Sequence, residues 1–151
     1  MREPGGCILM DHDSKSEDTH RAAGPDNPPT GPLNVGSGRT RVNLELKYQG
    51  LDILLLVTGG KAHIGAVAVW NGQEQEGPVV VTELPGHREG PLAGECAEIL
   101  GRASGRVVVT VVGIHQDHAT REEIAAIVAN ARKGASELAM VFERTKGTCD
   151  D

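Results

Sequence analysis

The sequence predicts a single α/β domain in which two helices pack on one mixed β-sheet, with the element order β-β-β-β-α-β-α. Residues 42–48 alternate between apolar and polar side chains, which is typical of a half-buried strand, and residues 51–57 and 106–114 are nearly continuous apolar runs. Two segments that start near residues 89 and 120 place apolar side chains at helical spacing. At 151 residues, the chain is long enough to bury one core without disulfide bonds.

Composition and charge exclude several classes of partner. The net charge of −6 at pH 7 argues against nucleic acid and against an anionic membrane surface. One Trp, one Tyr and one Phe are too few for stacking on single-stranded nucleic acid, and no apolar run is long enough to span a membrane. The three cysteines, Cys7, Cys96 and Cys149, are odd in number and far apart, which indicates free thiols in a reducing compartment. We therefore expect a cytoplasmic protein.

Domain boundaries follow from the composition. Residues 1–37 are rich in Pro, Gly, Asp, Ser and Asn and are predicted to form a disordered tail. His12 and His20 lie there beside acidic residues and offer a loose metal-binding tract as an alternative site, although nothing in the sequence pre-organises them. Residues 38–145 form the predicted α/β domain, and residues 146–151 form a frayed tail.

Glycines and polar turns separate the predicted strands. Gln49 and Gly50 follow the first strand, and the apolar run after them suits a strand that is covered on both faces. Gly59 and Gly60 both tolerate positive φ and can make a tight hairpin turn into the third strand. The predicted strands are residues 42–48, 51–57, 63–70, 78–84 and 106–114.

Both predicted helices have an identifiable start. Pro91 is acceptable in the first helix because it falls in the first turn, and Gly105 closes that helix. Thr120 with Glu123 three residues later has the form of a capping box, which begins a helix that runs to about residue 144. The buried stripe of the first helix is Ala93, Cys96, Ala97 and Leu100, and that of the second is Ile124, Ile127, Val128, Ala131, Ala135, Leu138 and Phe142.

Histidines from three separate segments are expected at one edge of the sheet. The fourth strand, the helix after it and the fifth strand form a crossover unit, so these strands run parallel and end at the same edge. His87 and His115 follow these two ends. The third strand runs antiparallel to the fourth, which places His63 at the same edge. Ligands bind at the carboxyl ends of strands in open α/β sheets, so this edge is the candidate binding site.

The residue types at this edge suit a metal ion and a phosphate group. Neutral imidazoles together with a carboxylate bind borderline divalent metals such as Zn²⁺, Mn²⁺, Ni²⁺ or Fe²⁺. Basic side chains and the backbone N–H groups of a glycine pair bind phosphate. The candidate metal ligands are His63, His87, Glu89 and His115, and the candidate phosphate contacts are Gly59, Gly60, Lys61 and Arg88.

Simpler roles are open for several of these residues. Each histidine can be an ordinary surface or capping residue, and the two glycines can form only a hairpin turn. Glu89 can serve the N-terminus of the first helix, where an acidic residue is favourable. Asp117 can brace the loop before Thr120, or it can orient a metal-binding histidine by accepting a hydrogen bond from the other ring nitrogen. Trp70 is expected in the core rather than as a platform for a flavin.

Three motifs at this edge resemble those of a known family. They are Gly-Gly-Lys-Ala-His-Ile-Gly-Ala-Val-Ala at residues 59–68, Leu-Pro-Gly-His-Arg-Glu at residues 84–89 and Gly-Ile-His-Gln-Asp-His-Ala-Thr at residues 113–120. Together, and in this order, they resemble the LpdD-like family of prenylated flavin (prFMN) chaperones, which are accessory to UbiD-type decarboxylases. The resemblance covers about residues 42–138.

The resemblance implies a carrier that is not itself an enzyme. Such a protein binds reduced prenylated FMN made by a flavin prenyltransferase, protects it, and delivers it to a UbiD-type decarboxylase of phenolic or other aromatic acids. A metal ion helps to hold the flavin phosphate. The resemblance therefore implies a metal site and a phosphate site within the motifs, and the chemistry of the side chains assigns the residues named above to each.

Two other functions are open at this point. A metal-dependent hydrolase could use the same histidines, with a metal-bound water as the nucleophile and Glu89 or Asp117 as the general base. The sequence contains neither a two-histidine helical motif nor a serine elbow, which argues against this hypothesis. The chain could also be a subunit of a decarboxylase complex that binds no ligand. Exposed strand edges and an apolar sheet further predict a homodimer.

Overall fold

The computed structural model describes residues 27–72 and 80–147, which form six β-strands, a short 3₁₀-helix and two α-helices. Cys7, His12, His20 and Cys149 lie outside the described residues, and so does the predicted disorder of residues 1–26. The strands are β1 (Leu33–Val35), β2 (Val42–Gln49), β3 (Asp52–Gly60), β4 (Ala66–Trp70), β5 (Val80–Glu83) and β6 (Val108–His115). The α-helices are α1 (Gly90–Ser104) and α2 (Arg121–Lys146), and the 3₁₀-helix is Gly38–Thr40.

The strands form one mixed sheet in the order β1-β2-β3-β6-β4-β5. β3 and β6 run parallel, and every other neighbouring pair runs antiparallel. Both helices lie on the same face, because Gly134 of α2 packs against Leu44 in β2 and Gly101 of α1 packs against Trp70 in β4. The predicted class, a single mixed sheet with two helices packed on it, is confirmed, and β1 is an addition to the predicted order.

The core lies between the helices and one face of the sheet. Leu44, Val57, Val112 and Ala66 form a continuous row across four strands, and all four are fully buried. Full burial of a Val or Leu side chain stabilises a fold by roughly 1.5–3 kcal/mol. Cys96 in α1 is also fully buried, and burial raises the pKa of its thiol to about 12. It is therefore a packing residue with an unreactive thiol.

Close approach of the helices to the sheet depends on two glycines. A Cβ atom at Gly101 would overlap the Trp70 indole, and a Cβ atom at Gly134 would overlap the Leu44 side chain. Trp70 is 3% exposed, so the prediction that it belongs to the core is confirmed. Adding a methylene group to a well-packed core typically costs about 1–3 kcal/mol, so these two positions limit the sequence of both helices.

The predicted hairpin at Gly59 and Gly60 is wrong. Both glycines belong to β3, and they pair with the end of β6 in a parallel ladder of eight residue pairs. β6 therefore lies between β3 and β4, and the chain crosses the end of β6 through residues 61–65. The local turn rule fails because the pairing of two long apolar strands outweighs it. As a result, β4 begins at Ala66, and His63 lies in the crossing segment rather than in a strand.

The edge strand β1 lies within residues 1–37, which the composition assigned to the tail. It pairs antiparallel with β2, and Val35 is 6% exposed. The Tyr48 hydroxyl donates a hydrogen bond to the Pro28 carbonyl oxygen at 2.6 Å, which holds the preceding residues against β2. A three-residue strand has little local signal, and it forms because β2 offers an unpaired edge. The sheet therefore extends beyond the predicted boundary at residue 38.

The second face of the sheet is apolar, but no described helix or strand covers it. The apolar run at residues 51–57 predicted a strand covered on both faces, and in the described part of the chain only the face toward the helices is covered. Val69 and Val80 on the second face are 36% and 69% exposed. Coverage of the second face therefore stays a prediction, because an apolar run has the same pattern whether that face is covered by its own chain, by a partner or by nothing.

Both α-helices begin where the sequence predicts. The Thr120 hydroxyl accepts a hydrogen bond from the Glu123 N–H at 3.1 Å, and the Glu123 carboxylate accepts one from the Thr120 N–H at 3.0 Å, which confirms the capping box. Pro91 lies in the first turn of α1, and Gly105 follows its last residue with a φ of 67°. Among the described residues, neither helix combines the length and the apolarity that a membrane crossing requires.

Candidate metal and ligand site

The three predicted histidines lie at one edge of the sheet, beside the carboxyl end of β6. The ring centroids of His63 and His87 are 4.8 Å apart, and those of His63 and His115 are 6.3 Å apart. Each ring comes from a different segment: the crossing before β4, the loop between β5 and α1, and the end of β6. The topology therefore brings the rings together as expected, but their surroundings differ.

The crossing segment over β6 positions His63. The backbone N–H groups of Lys61 and Gly65 each donate a hydrogen bond to a carbonyl oxygen of β6 at 2.9 Å. The segment passes so close to β6 that a Cβ atom at Gly113 would overlap the His63 carbonyl oxygen, so this path requires glycine there. His63 Nδ1 lies 3.0 Å from the Lys61 carbonyl oxygen. That oxygen can only accept, so Nδ1 carries a proton, and Nε2 is the ring nitrogen that faces Glu89 and His87.

A tight turn positions His87. The His87 N–H donates a hydrogen bond to the Leu84 carbonyl oxygen at 3.1 Å, and Gly86 between them has a φ of 79°. Pro85 and Gly86 occupy the two central positions, which is the residue pattern of a type II β-turn. The Leu84 N–H in turn donates to the Gly65 carbonyl oxygen at 2.9 Å. This bond ties the turn to the crossing segment and fixes the two histidines relative to each other.

Glu89 directs its carboxylate toward the histidines instead of capping α1. It stands at the N-cap position but makes no side-chain capping hydrogen bond. Glu83 performs that task, because its carboxylate accepts a hydrogen bond from the Gly90 N–H at 2.8 Å. Gly65 leaves room for the Glu89 carboxylate, which a Cβ atom at that position would overlap. The capping role considered for Glu89 thus belongs to Glu83.

His63, His87 and Glu89 form a compact group of potential ligands, which we call the three-ligand cluster. Their ligand atoms all lie within 4.8 Å of one another. His63 Nε2 is 3.2 Å from both Glu89 Oε1 and His87 Nδ1, and His87 Nδ1 is 3.7 Å from Glu89 Oε2. The Glu89 side chain is only 15% exposed. It accepts a hydrogen bond from the Arg88 N–H, but among the described residues it pairs with no lysine or arginine side chain.

The donor set of the three-ligand cluster fits a divalent metal ion. Zn²⁺ and similar borderline ions use imidazole nitrogens and carboxylates, and three protein ligands leave coordination positions for an outside ligand. A mostly buried carboxylate without a cationic partner is costly, and a bound cation removes that cost. The hydrogen bond from His63 Nδ1 to the backbone holds the ring in the tautomer that a metal ligand needs.

His115, Asp117 and Lys61 form a second group at the same edge, which we call the salt-bridged group. Asp117 Oδ1 is 2.9 Å from His115 Nε2, and Asp117 Oδ2 is 2.5 Å from Lys61 Nζ. Lys61 first, and His115 second, hold the pKa of Asp117 below its usual range. All three side chains are more than half exposed. The structure therefore leaves His115 outside the three-ligand cluster, where Asp117 braces it.

A cavity of about 310 Å³ opens beside the three-ligand cluster, between the starts of α1 and α2 and the end of β6. Its volume lies within the range of small-molecule sites. His87, Arg88 and Glu89 line one side of it. The opposite wall is apolar and consists of Leu92, Ile114, Ile124, Ile127 and Val128.

The apolar wall was not singled out from the sequence. Helical spacing assigned Ile124, Ile127 and Val128 to the buried stripe of α2, but Ile124 is 52% exposed, so its prediction as a core residue is wrong. The first turn of α2 lies at the edge of the sheet and faces the cavity instead of the core. An apolar residue directly after a histidine loop and a capping box is the signal that could have found this wall.

The predicted phosphate contacts are divided between two cavities. Arg88 lines the cavity beside the cluster, and its guanidinium makes no hydrogen bond or ion pair with the other described residues. Gly59 and Gly60 line a second cavity of about 280 Å³ together with polar residues such as Arg41. The Lys61 ammonium is already paired with a carboxylate, and its N–H is bonded to β6. Of the four, Arg88 is the residue with an available charge beside the cluster.

Comparison with known proteins identifies the family. No curated protein matches the chain. The family model described as the prenylated flavin chaperone LpdD-like domain matches residues 36–143. This range contains β2 to β6, α1 and most of α2, and it includes every residue of the three-ligand cluster and of the cavity beside it. The chain therefore belongs to the family of prenylated flavin chaperones with an LpdD-like domain.

Proposed function

We propose that this protein carries reduced prenylated FMN from a flavin prenyltransferase to a UbiD-type decarboxylase. Membership of the prenylated flavin chaperone family supports the choice of flavin. The three-ligand cluster supports a metal ion as part of the binding site, and the adjoining cavity supports a ligand with an apolar portion. Carriage requires binding and release without turnover, so no residue receives a catalytic role. The expected cytoplasmic location stays a prediction.

The observation that supports the metal part of this proposal is the environment of the Glu89 carboxylate. Its carboxylate is 15% exposed and faces two imidazoles, with no lysine or arginine side chain paired to it among the described residues. A divalent cation bound between this carboxylate and the two imidazoles would neutralise its negative charge without a lysine or arginine. When bound, the cation also supplies the positive charge and the open coordination positions that attract a phosphate group.

The flavin binds in one orientation in this proposal. Its phosphate lies at the three-ligand cluster, with the Arg88 guanidinium as a second positive charge. Its ring system and prenyl-derived portion lie against the apolar wall, where Ile124 and Ile127 exclude water from one side. Lys61 and His115 keep the crossing segment and the end of β6 in place through Asp117. In this arrangement the glycines of β3 contribute backbone geometry rather than contacts to phosphate.

The direct test compares the wild-type protein with His87→Ala. The purified chain is loaded with Zn²⁺, Mn²⁺ or Fe²⁺ and with reduced prenylated FMN without oxygen, and bound metal and flavin are measured after size-exclusion chromatography. We expect metal affinity to fall by more than roughly 100-fold in the variant, because changes behind a ligand already cost about 10–100-fold. Flavin retention should fall with it. The fold should persist, because the His87 side chain lies at the edge and is 34% exposed.

His118→Asn is the matched control. His118 lies in the same edge loop as His115 but outside the cluster, and asparagine tolerates its positive φ of 54°. This variant should bind metal and flavin like the wild type. The carrier proposal fails if wild-type protein supplied with both ligands elutes without flavin. Hydrolysis of a simple phosphate ester that a chelator abolishes would favour the hydrolase, and absence of both ligands would favour a subunit that binds neither.

A further inference from the structure

The second face of the sheet consists of two ordered rows of side chains. Both rows run across β2, β3, β6, β4 and β5, and both begin with a charged residue on β2. The three central strands contribute only aliphatic side chains to them. The first row is Glu45, Leu56, Val111, Val67 and Thr82, and the second is Lys47, Leu54, Val109, Val69 and Val80.

The remaining parts of the chain are poor candidates to cover this face. Residues 73–78 are Gln, Glu, Gly and Pro, and Val79 is the single apolar side chain of residues 73–79 apart from Pro78. In residues 1–26, the large apolar side chains apart from Met1 are confined to the run Ile8, Leu9 and Met10. A surface of seven Leu and Val side chains on four strands needs a wider apolar partner than such a run provides. We therefore expect a separate molecule to cover this face.

The charge of this face favours a second copy of the same chain. The two charged residues of these rows, Glu45 and Lys47, have opposite signs and lie 3.5 Å apart, so the rows are electrically neutral although the chain carries a net charge of −6. Asp52 lies on the same face of β3 but outside the two rows. In a two-fold dimer the same patch meets itself, and a patch with a net charge would repel its copy. A partner of another kind that is recognised by its charge would require a net charge on this face, which the two rows lack.

The size of the face is sufficient for a dimer. The five strands have four to nine residues, about seven on average. With strands about 4.8 Å apart and about 3.3 Å per residue along each, the face measures roughly 24 by 22 Å, or about 500 Å² in projection. Accessible surface exceeds the projected area because side chains are rounded. Two such faces therefore bury on the order of 1,000 Å² or more in total, which is the lower range of specific interfaces.

We propose that two copies of this chain pack face to face through the open side of the sheet and form a β-sandwich with helices on both outer sides. Sheets that pack in this way interdigitate their inner side chains, which suits the rows of Val and Leu. The three-ligand cluster of each copy lies at the sheet edge and next to α1, on the helix side, so the dimer leaves both flavin sites open. The proposed interface does not depend on the proposed function.

Sedimentation velocity of the full chain and of Val69→Lys tests this interface. Val69 lies in the middle of the second row and is already 36% exposed, so the substitution is compatible with the folded monomer. We expect a dimer for the wild type at micromolar concentration. For Val69→Lys we expect the dissociation constant to rise by more than roughly tenfold, because the dimer would bury an unpaired charge. Circular dichroism establishes that the variant is folded.

Met140→Lys is the matched control, because Met140 is 49% exposed on α2, away from the sheet face. It should leave the dimer intact. Val80 lies at the end of the same row and is 69% exposed, and Val80→Lys should also weaken the dimer. This variant tests the interface if Val69→Lys does not fold. A monomeric wild type would overturn the proposal, and so would a dimer that survives a lysine at both row positions.

Discussion

Two groups of histidine and carboxylate side chains stand at the same sheet edge and differ in how their negative charge is balanced. In the salt-bridged group, Lys61 compensates Asp117, and all three side chains are more than half exposed. In the three-ligand cluster, Glu89 is 15% exposed and is compensated by no lysine or arginine among the described residues. The two groups have similar residue types, and the ring centroids of His63 and His115 are 6.3 Å apart, but only the salt-bridged group contains a lysine.

The presence or absence of a basic partner determines which carboxylate is available to a cation. An exposed carboxylate that already has an ammonium partner gains little from a metal ion, since water and the lysine satisfy it. A mostly buried carboxylate that faces two imidazoles and has no lysine or arginine partner gains more, because the cation offsets the cost of its burial. The three-ligand cluster should therefore bind the metal, and the salt-bridged group should hold the surrounding loops. Three substitutions test this division.

The largest expected effect is the loss of metal binding in Glu89→Gln. Removal of the negative charge from the cluster should weaken metal affinity by more than roughly 100-fold, whereas Asp117→Asn should stay within about tenfold of the wild type. Isothermal titration with Zn²⁺ and Mn²⁺ measures both. Equal losses in the two variants would show that the groups act as one site and would break the comparison.

A smaller effect is expected on stability without metal. Glu89→Gln removes a mostly buried charge, so we expect the metal-free protein to gain roughly 0.5–2 kcal/mol in the free energy of unfolding. With free metal at about 100 times its dissociation constant, the wild type should regain about 2.7 kcal/mol and become the more stable protein. Urea unfolding with and without chelator gives both values. A metal-free variant that is less stable than the wild type would mean that the two imidazoles already balance the carboxylate.

The smallest effect is expected from Lys61→Ala in the salt-bridged group. Lys61 is the main cause of the lowered pKa of Asp117, so its removal should raise that pKa toward the ordinary value of about 3.9. A lowered pKa stabilises the folded state above the ordinary value, and this stabilisation disappears as the pH falls through the lowered pKa. The variant should therefore differ from the wild type at neutral pH and match it in strong acid. An NMR titration of the Asp117 carboxyl carbon measures the shift, and an unchanged pKa would contradict the assigned cause.

Much of the fold could be predicted because its signals are local. Alternation predicts β2, and the pairing of Thr120 with Glu123 predicts the start of α2. Pro85 and Gly86 mark the end of β5, and the crossover rule places His87 and His115 at one edge. These inferences hold because side-chain periodicity, capping and connection handedness are decided within a few residues or by general geometry.

Other features could not be predicted because they depend on which segments become neighbours. Glu83 and Glu89 are both acidic residues near the start of α1, and only their positions decide that Glu83 caps the helix while Glu89 faces the histidines. Gly59 and Gly60 have the sequence of a hairpin, yet β6 takes the place beside β3 that the hairpin would have needed. The local sequence patterns would be the same if Glu89 capped the helix or if the two glycines formed a hairpin, so they cannot distinguish these alternatives.

Sequence patterns are sufficient to predict one α/β domain, the places of most strands and helices, and an edge shared by three histidines from different segments. The folded chain was needed to show that His63 and His87 join Glu89, that His115 pairs with Asp117, and that one apolar face of the sheet is uncovered by the described residues. Backbone preferences act between near neighbours in sequence, so they can be inferred from it. Charge compensation and burial depend instead on distances between residues that are far apart in the chain.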